Sequence, residues 1–257
     1  MNRRIWLTLA LGLSWILSGD AGAQAQDTIA RVKSSILAVG TWQKTRAPAF
    51  QFRGTGFVVG DGSLLATNAH VLPTVLGEGA DPERLMVALP GAEPGSVQLR
   101  EASRVAVNAD SDLALLRLSG AALPALKLAP ADSAREGDRL LFTGYPIGAA
   151  LGVFPATHQA MIASLTPIAI PSANSRSLDA RQIRRLQSGA FGVYQLDGTA
   201  YPGNSGSPLY DPATGEVVGI INMVSIKGSK ESALSQPSGI SYAIPVRHLR
   251  ELINNAR

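Results

Sequence analysis

Pro202-Gly203-Asn204-Ser205-Gly206-Ser207-Pro208-Leu209 is the stretch on which the reading of this chain turns. Glycine stands two residues before Ser205 and directly after it, and prolines close both ends. Glycine tolerates backbone angles that other residues resist, so such a segment can form a tight turn that exposes the serine. The same turn can aim backbone N–H groups into one small space. A serine hydroxyl is a poor nucleophile until a base takes its proton. Either the segment is a Gly/Ser/Pro surface turn, or the rest of the chain supplies a base, a group that orients the base, and a cleft.

Working outward, the candidates for a base are few. The chain has three histidines. His70 lies in Ala66-Thr-Asn-Ala-His-Val71, at the end of an expected strand, where a side chain can face a cleft. His158 falls inside an expected strand and His248 on an expected helix, and both suit packed or solvated roles. Asp112 opens the apolar run Asp112-Leu-Ala-Leu-Leu-Arg-Leu118. A carboxylate at the edge of such a run needs a partner, because burying it unpaired is unfavourable, and a histidine N–H serves. Asp110 competes for that role, although its polar neighbours suit an exposed loop. The order His70, Asp112, Ser205 is that of chymotrypsin-type triads, not of α/β-hydrolases or subtilisins. A hydrolase elbow would also need glycine at the position of Ser207.

Composition bounds the rest. With 257 residues, 46% of them hydrophobic, the chain can bury a sizeable core in one large or two small domains. A formal net charge of +4 is too mild to argue for nucleic acid. The absence of cysteine excludes disulfides, thiol catalysis and cysteine-ligated metals. At the N-terminus, Asn2-Arg3-Arg4, the apolar run Ile5–Leu17 and Ala21-Gly22-Ala23 have the order of a signal peptide, cleaved after Ala23 or after Ala25. An uncleaved anchor is the alternative, but the run is short for a membrane span. The expectation is an exported protein, periplasmic or secreted, with no stable membrane insertion.

Between these landmarks the pattern is short strands with turn signals. Expected strands are Ser35–Thr41, Arg53–Gly60, Ser63–Asn68, Leu85–Leu89, Ser96–Leu99, Arg104–Val107, Asp112–Leu118, Asp138–Thr143, Val153–Ser164, Phe191–Leu196, Glu216–Ile226 and Ile240–Ile244. A helix is expected over Gln26–Ser34, and a second one opens at Pro245, with Val246, Leu249, Leu252 and Ile253 on one face. Ser119–Gly137 reads as a crossover between two halves. Pro167–Gly189, bearing Arg176, Arg181, Arg184 and Arg185, reads as an insertion, helical over Leu178–Leu186. It is either a regulatory loop or a solvated surface excursion. Many short strands with one clear terminal helix point to antiparallel barrels or sandwiches.

Seven segments together resemble the protease domain of the HtrA/Deg family, within the wider trypsin-like serine proteases. They are Gly54-Thr-Gly-Phe-Val-Val, Thr67-Asn-Ala-His-Val, Asp112-Leu-Ala-Leu-Leu, Gly144-Tyr-Pro-Ile-Gly, Asp197 through Leu209, Gly215-Glu-Val-Val-Gly-Ile and Gly239-Ile-Ser-Tyr-Ala-Ile-Pro. The resemblance implies an all-β fold of two six-stranded antiparallel barrels with a C-terminal helix. It divides the chain into a leader (1–23), a first barrel (24–125) and a second (126–257). It implies Ser205 as nucleophile, His70 as base, Asp112 as orienter, and the N–H groups of Gly203 and Ser205 as oxyanion donors. Neither cofactor nor metal is called for, and the partners are protein or peptide substrates.

Three departures from the family pattern stand out. Ser207 replaces a usual glycine, in the Ser-Gly-Ser-Pro form of the glutamyl endopeptidases. The sequence ends after the helix that leads to a PDZ module in the family, so no PDZ regulation is expected within it. No aromatic residue follows the leader before Trp42, which leaves a trimer open. The resemblance also implies a primary pocket with Thr199, six residues before Ser205, at its base, and Ile221, Asn222 and Met223 are expected as its walls. With no carboxylate at Thr199, cleavage after Lys or Arg is not expected, and small or medium uncharged residues such as Val, Ala, Ile or Leu are. A catalytically idle binding protein and a glutamyl endopeptidase are the alternatives. The latter usually recruits a histidine where Ile220-Ile-Asn-Met223 stands.

Overall fold

The computed structural model describes residues 20–91, 96–146, 154–167, 192–222 and 239–256. Most of the leader, most of the arginine-bearing insertion with its expected helix, and Met223 lie outside them. Twelve strands close into two antiparallel barrels. The first comprises β1 (Ile36–Trp42), β2 (Phe50–Val59), β3 (Leu64–Asn68), β4 (Arg84–Pro90), β5 (Val97–Asn108) and β6 (Leu113–Leu118), in the spatial order β1-β2-β3-β6-β5-β4. The second comprises β7 (Arg139–Gly144), β8 (Ala156–Pro167), β9 (Gly192–Asp197), β10 (Pro208–Tyr210), β11 (Val217–Asn222) and β12 (Ile240–Pro245), in the order β10-β11-β12-β9-β8-β7. Helix α1 (Asp20–Lys33) precedes the first barrel and α2 (Val246–Asn255) follows the second.

Strand alternation sorts the apolar residues into three cores. On β6, Ala114, Leu116 and Leu118 face the first barrel's interior with Leu37, Val39, Val58 and Val87. Leu113 and Leu115, on the opposite face, join a core shared by both barrels and α2, with Phe57, Tyr145, Tyr210, Ile220 and Leu249. A run apolar on both faces is therefore one that is buried on both faces. The second barrel's interior is filled by Phe142, Ile162, Leu196, Leu209 and Ile221. Tyr145 is 1% exposed in the shared core, and its hydroxyl donates to the carbonyl of Ile36 at 3.0 Å. No helix of the described residues is long and apolar enough to cross a membrane.

Beyond shifts of one to three residues at strand ends, four departures from the expected elements stand out. Ser96–Leu99 and Arg104–Val107 are two ends of a single strand, β5, because no glycine or proline interrupts them; a register shift between Arg104 and Ala106 supplies the bend instead. Residues 208–210 leave the serine turn as a strand of their own, β10, bonded to both β7 and β11. Pro245 is not the first helical residue: its backbone is extended (φ −57°, ψ 142°) and it caps α2 from outside. Helix α1 begins at Asp20, upstream of both expected cleavage positions. It docks through Thr28 on the carbonyl of Ala213 and through Arg31 on that of Thr214, in the turn between β10 and β11.

Candidate active site

His70 sits in a short 3-10 turn (Ala69–Val71) that follows β3, with Val71 buried beneath it. Asp112 immediately precedes β6, the neighbour of β3. Its backbone is left-handed, φ 53°, a conformation that aspartate enters more readily than most residues. In that conformation the carbonyl of Asp112 accepts from Ala69 N and from Asn68 Nδ2, each at 3.0 Å. The carboxylate turns back to His70, where Oδ1 accepts from the His70 backbone N–H at 2.9 Å and Oδ2 lies 2.6 Å from Nδ1. One residue thus fixes both the backbone and the ring of the histidine. The carboxylate is 10% exposed and the imidazole 36%, which leaves the ring open to the cleft on one side.

The serine turn comes from the other barrel. Asn204 N donates to Tyr201 O and Ser207 N to Asn204 O, which winds residues 201–207 tightly. Gly203 (φ 104°) and Gly206 (φ 88°) take backbone angles that side chains disfavour. At Gly206 a Cβ would also stand 2.0 Å from the carbonyl oxygen of Thr55. Gly206 N donates to Ile221 O and Ile221 N to Ser207 O, tying the turn to β11. The result is Ser205 Oγ 2.9 Å from His70 Nε2. The N–H groups of Gly203 and Ser205 donate to no protein acceptor among the described residues.

Thr55, on β2 of the first barrel, is the joint between the halves. Its N–H donates to Ser205 O at 2.9 Å and its hydroxyl to Gly203 O at 2.7 Å. The same hydroxyl accepts from Tyr145 N at 3.1 Å, while the Thr55 carbonyl accepts from the Thr67 hydroxyl. Thr55 lies within Gly54-Thr-Gly-Phe-Val-Val, yet nothing in its sequence surroundings distinguishes a cross-barrel bridge from an ordinary strand threonine.

The other expected site residues fall as follows. Thr199 is partly exposed in the segment that leads to the serine turn. Ile221 is fully buried among the second barrel's core residues. Asn222, expected as a pocket wall, instead donates its Nδ2 to Asp112 Oδ2 at 3.0 Å. Alternation explains the split, since consecutive strand residues face opposite sides. Asp110 is exposed, and its backbone N–H donates to Asn108 Oδ1. His248 stands apart from Ser205 on α2 beside Glu251, and His158 on β8 against Phe142 and Tyr201.

A hydroxyl, an imidazole and a carboxylate in one hydrogen-bonded row, with two backbone N–H groups in the same turn that meet no acceptor among the described residues, can carry out nucleophilic attack on a carbonyl with stabilisation of the oxyanion. A family profile described as a trypsin-like peptidase domain matches residues 54–220. Among curated proteins, the chain is 27% identical over 80% of its length to a probable periplasmic serine endoprotease, DegP-like, of Pseudomonas fluorescens. It is 29% identical over 78% of its length to the mitochondrial serine protease HTRA2 of Bos taurus, and 26% identical over 81% to that of Drosophila pseudoobscura. The match spans 35% of each of the first two relatives and 40% of the third.

Proposed function

The chain belongs to the trypsin-like peptidase domain family, and on that premise we propose that it is a serine endopeptidase. The observation that carries the proposal is the unbroken row Ser205 Oγ–His70 Nε2, 2.9 Å, and His70 Nδ1–Asp112 Oδ2, 2.6 Å. In this reading His70 Nε2 takes the Ser205 proton as Oγ attacks the scissile carbonyl. The oxyanion forms between the N–H groups of Gly203 and Ser205. His70 then protonates the leaving amine, and water, deprotonated by His70, releases the acyl group. Asp112 holds the imidazole and stabilises it once charged.

The substrates in this reading are unfolded or misfolded proteins, cut after uncharged residues, with Thr199 at the base of the primary pocket. A substrate Arg or Lys would meet no carboxylate at Thr199, which disfavours it if the pocket is dry. Export follows from the expected leader, with residues 24–125 and 126–257 as the two mature halves. The periplasmic DegP-like relatives support that location. Cleavage after Ala23 or Ala25 would remove only the start of α1 and keep Thr28 and Arg31, which dock it. Two measurements test the proposal. A fluorophosphonate probe should label the protein and not the Ser205→Ala variant, and equal labelling of both would sink the mechanism. Protein recovered from an exporting bacterial host should begin at Gln24 or Gln26, whereas an intact Met1 in the membrane fraction would replace export with anchoring.

A further inference from the structure

The second barrel holds a histidine that the steps above leave unused. His158 on β8 pairs across the sheet with Phe142 on β7. The two rings stack, with centroids 5.0 Å apart and planes 19° apart. The imidazole also meets Tyr201, with centroids 6.0 Å apart. Its Nε2 is buried and has no hydrogen-bond partner among the described residues. An orphaned ring nitrogen is unfavourable, and an apolar ring would fill the same space without that penalty. Such a group calls for an explanation outside packing.

Its location supplies one. Tyr201 stands two residues before Gly203. Gly198, at the start of the same segment, packs so closely on β8 that a Cβ there would lie 2.8 Å from the Ala160 side chain and 3.1 Å from the carbonyl of Gln159. The stretch 198–201 therefore lies on β8 near His158. With Thr199 at the base of the primary pocket, as proposed above, the side chain of the residue held at Ser205 would extend along this same stretch. We propose that His158 is a specificity-determining residue of the primary pocket, its Nε2 hydrogen-bonding an uncharged polar side chain of the substrate, glutamine or threonine. The proposal rests on Ser205 as the nucleophile and Thr199 as a pocket residue, and it narrows the uncharged class from aliphatic to hydrogen-bonding side chains.

The chemistry of the ring selects between polar classes. Burial pushes the His158 imidazole below its ordinary pKa, so the neutral ring offers one N–H and one lone pair. Whichever of these Nε2 carries, an amide or a hydroxyl supplies the complement. A carboxylate can take only the N–H and would stand there without the balancing charge of an imidazolium, which burial disfavours, so it fits less well than a neutral amide or hydroxyl. A site built to bond a polar tip discriminates strongly against an isostere lacking it, because its own group is left unpaired.

The experiment compares kcat/KM at pH 8 for peptides that differ only in the residue before the scissile bond: Gln against Met, and Thr against Val. The wild type should favour Gln and Thr by about tenfold or more. His158→Phe should bring both ratios close to one, with cleavage after Met and Val retained, and His158→Gln should keep part of the preference. Fluorophosphonate labelling of each variant reports whether the Ser205 site is intact. A wild-type Gln:Met ratio at or below one overturns the assignment whatever the variants do. So do ratios unchanged in a labelled His158→Phe protein. Failure of the wild type to be labelled or to cleave any of the four peptides would remove the endopeptidase reading itself, and the assignment with it.

Discussion

Asn222 Nδ2 donates at 3.0 Å to Asp112 Oδ2, the same oxygen that faces His70 Nδ1 at 2.6 Å. The carboxylate in the first barrel is thus held from the second. A hydrogen bond to a charged group contributes about 1.5–3 kcal/mol. Asn222→Leu should therefore lower kcat by roughly ten- to a hundredfold, with KM little changed. Asn222→Asp should be worse, because it sets a second carboxylate against Asp112. Steady-state kinetics separate the outcomes: a loss confined to KM would return Asn222 to the pocket wall.

Ser205→Ala and His70→Ala should each lower kcat by about three orders of magnitude or more, and the double variant should be little worse, since groups that act as a unit are not additive. Asp112→Asn should also be severe, because an amide accepts the wrong imidazole tautomer. Asp110→Asn should be mild. The reverse order of the two aspartates would refute the assignment.

Thr55→Val keeps the shape of the side chain but strips partners from the Gly203 carbonyl and the Tyr145 N–H. Each orphaned group is unfavourable by about 1–3 kcal/mol. The melting temperature should fall by several degrees, and kcat should fall with it, because the serine turn loses a tether. Gly206→Ala should be more damaging, as its Cβ would collide with the Thr55 carbonyl. A Thr55→Val protein with wild-type kcat would show that the turn holds its shape without the bridge.

Alkaline pH provides an independent check on the shared core. Burial raises the Tyr145 phenol well above its ordinary pKa. An unfolded tyrosine ionises near about pH 10. Below that value neither state loses the proton and stability is unaffected. Above it the unfolded chain binds fewer protons than the folded one, so stability falls as pH rises. Tyr145→Phe should lower stability by about 1 kcal/mol at neutral pH through the lost bond to Ile36, and should decline less steeply in alkali. Urea midpoints at pH 8 and pH 11 measure both. An equally steep decline in the variant would place the effect on Tyr194 and Tyr210, whose phenols are also raised.

The fold was largely legible because its strands are short, apolar on one or both faces, and separated by glycine, proline and polar turns. The order His70, Asp112, Ser205 was legible because few histidines exist to choose from. Side-chain roles set by tertiary contact were not. Asn222 follows an apolar run and reads as a wall residue; only the approach of the two barrels places its amide on Asp112. The left-handed backbone of Asp112 carries no local signal beyond the residue type. The continuity of β5 across Val97–Asn108 was hidden by Arg100-Glu-Ala-Ser103, a mostly polar stretch with no run of apolar side chains to mark it as strand.

Helix α1 precedes the first barrel in sequence yet grips the second at Ala213 and Thr214, while α2 follows the second and packs against Leu113 and Leu115 of the first. The two helices are crossed like the ends of a tied belt. Severing the peptide backbone between Ser119 and Gly137 would therefore not free the halves. Arg250 on α2 holds the carbonyls of Leu128 and Ala129, and Arg247 pairs with Asp132, so even the cut ends would have anchors. Two fragments split there would find each other by the same straps, and a nicked molecule would travel as one particle until denatured.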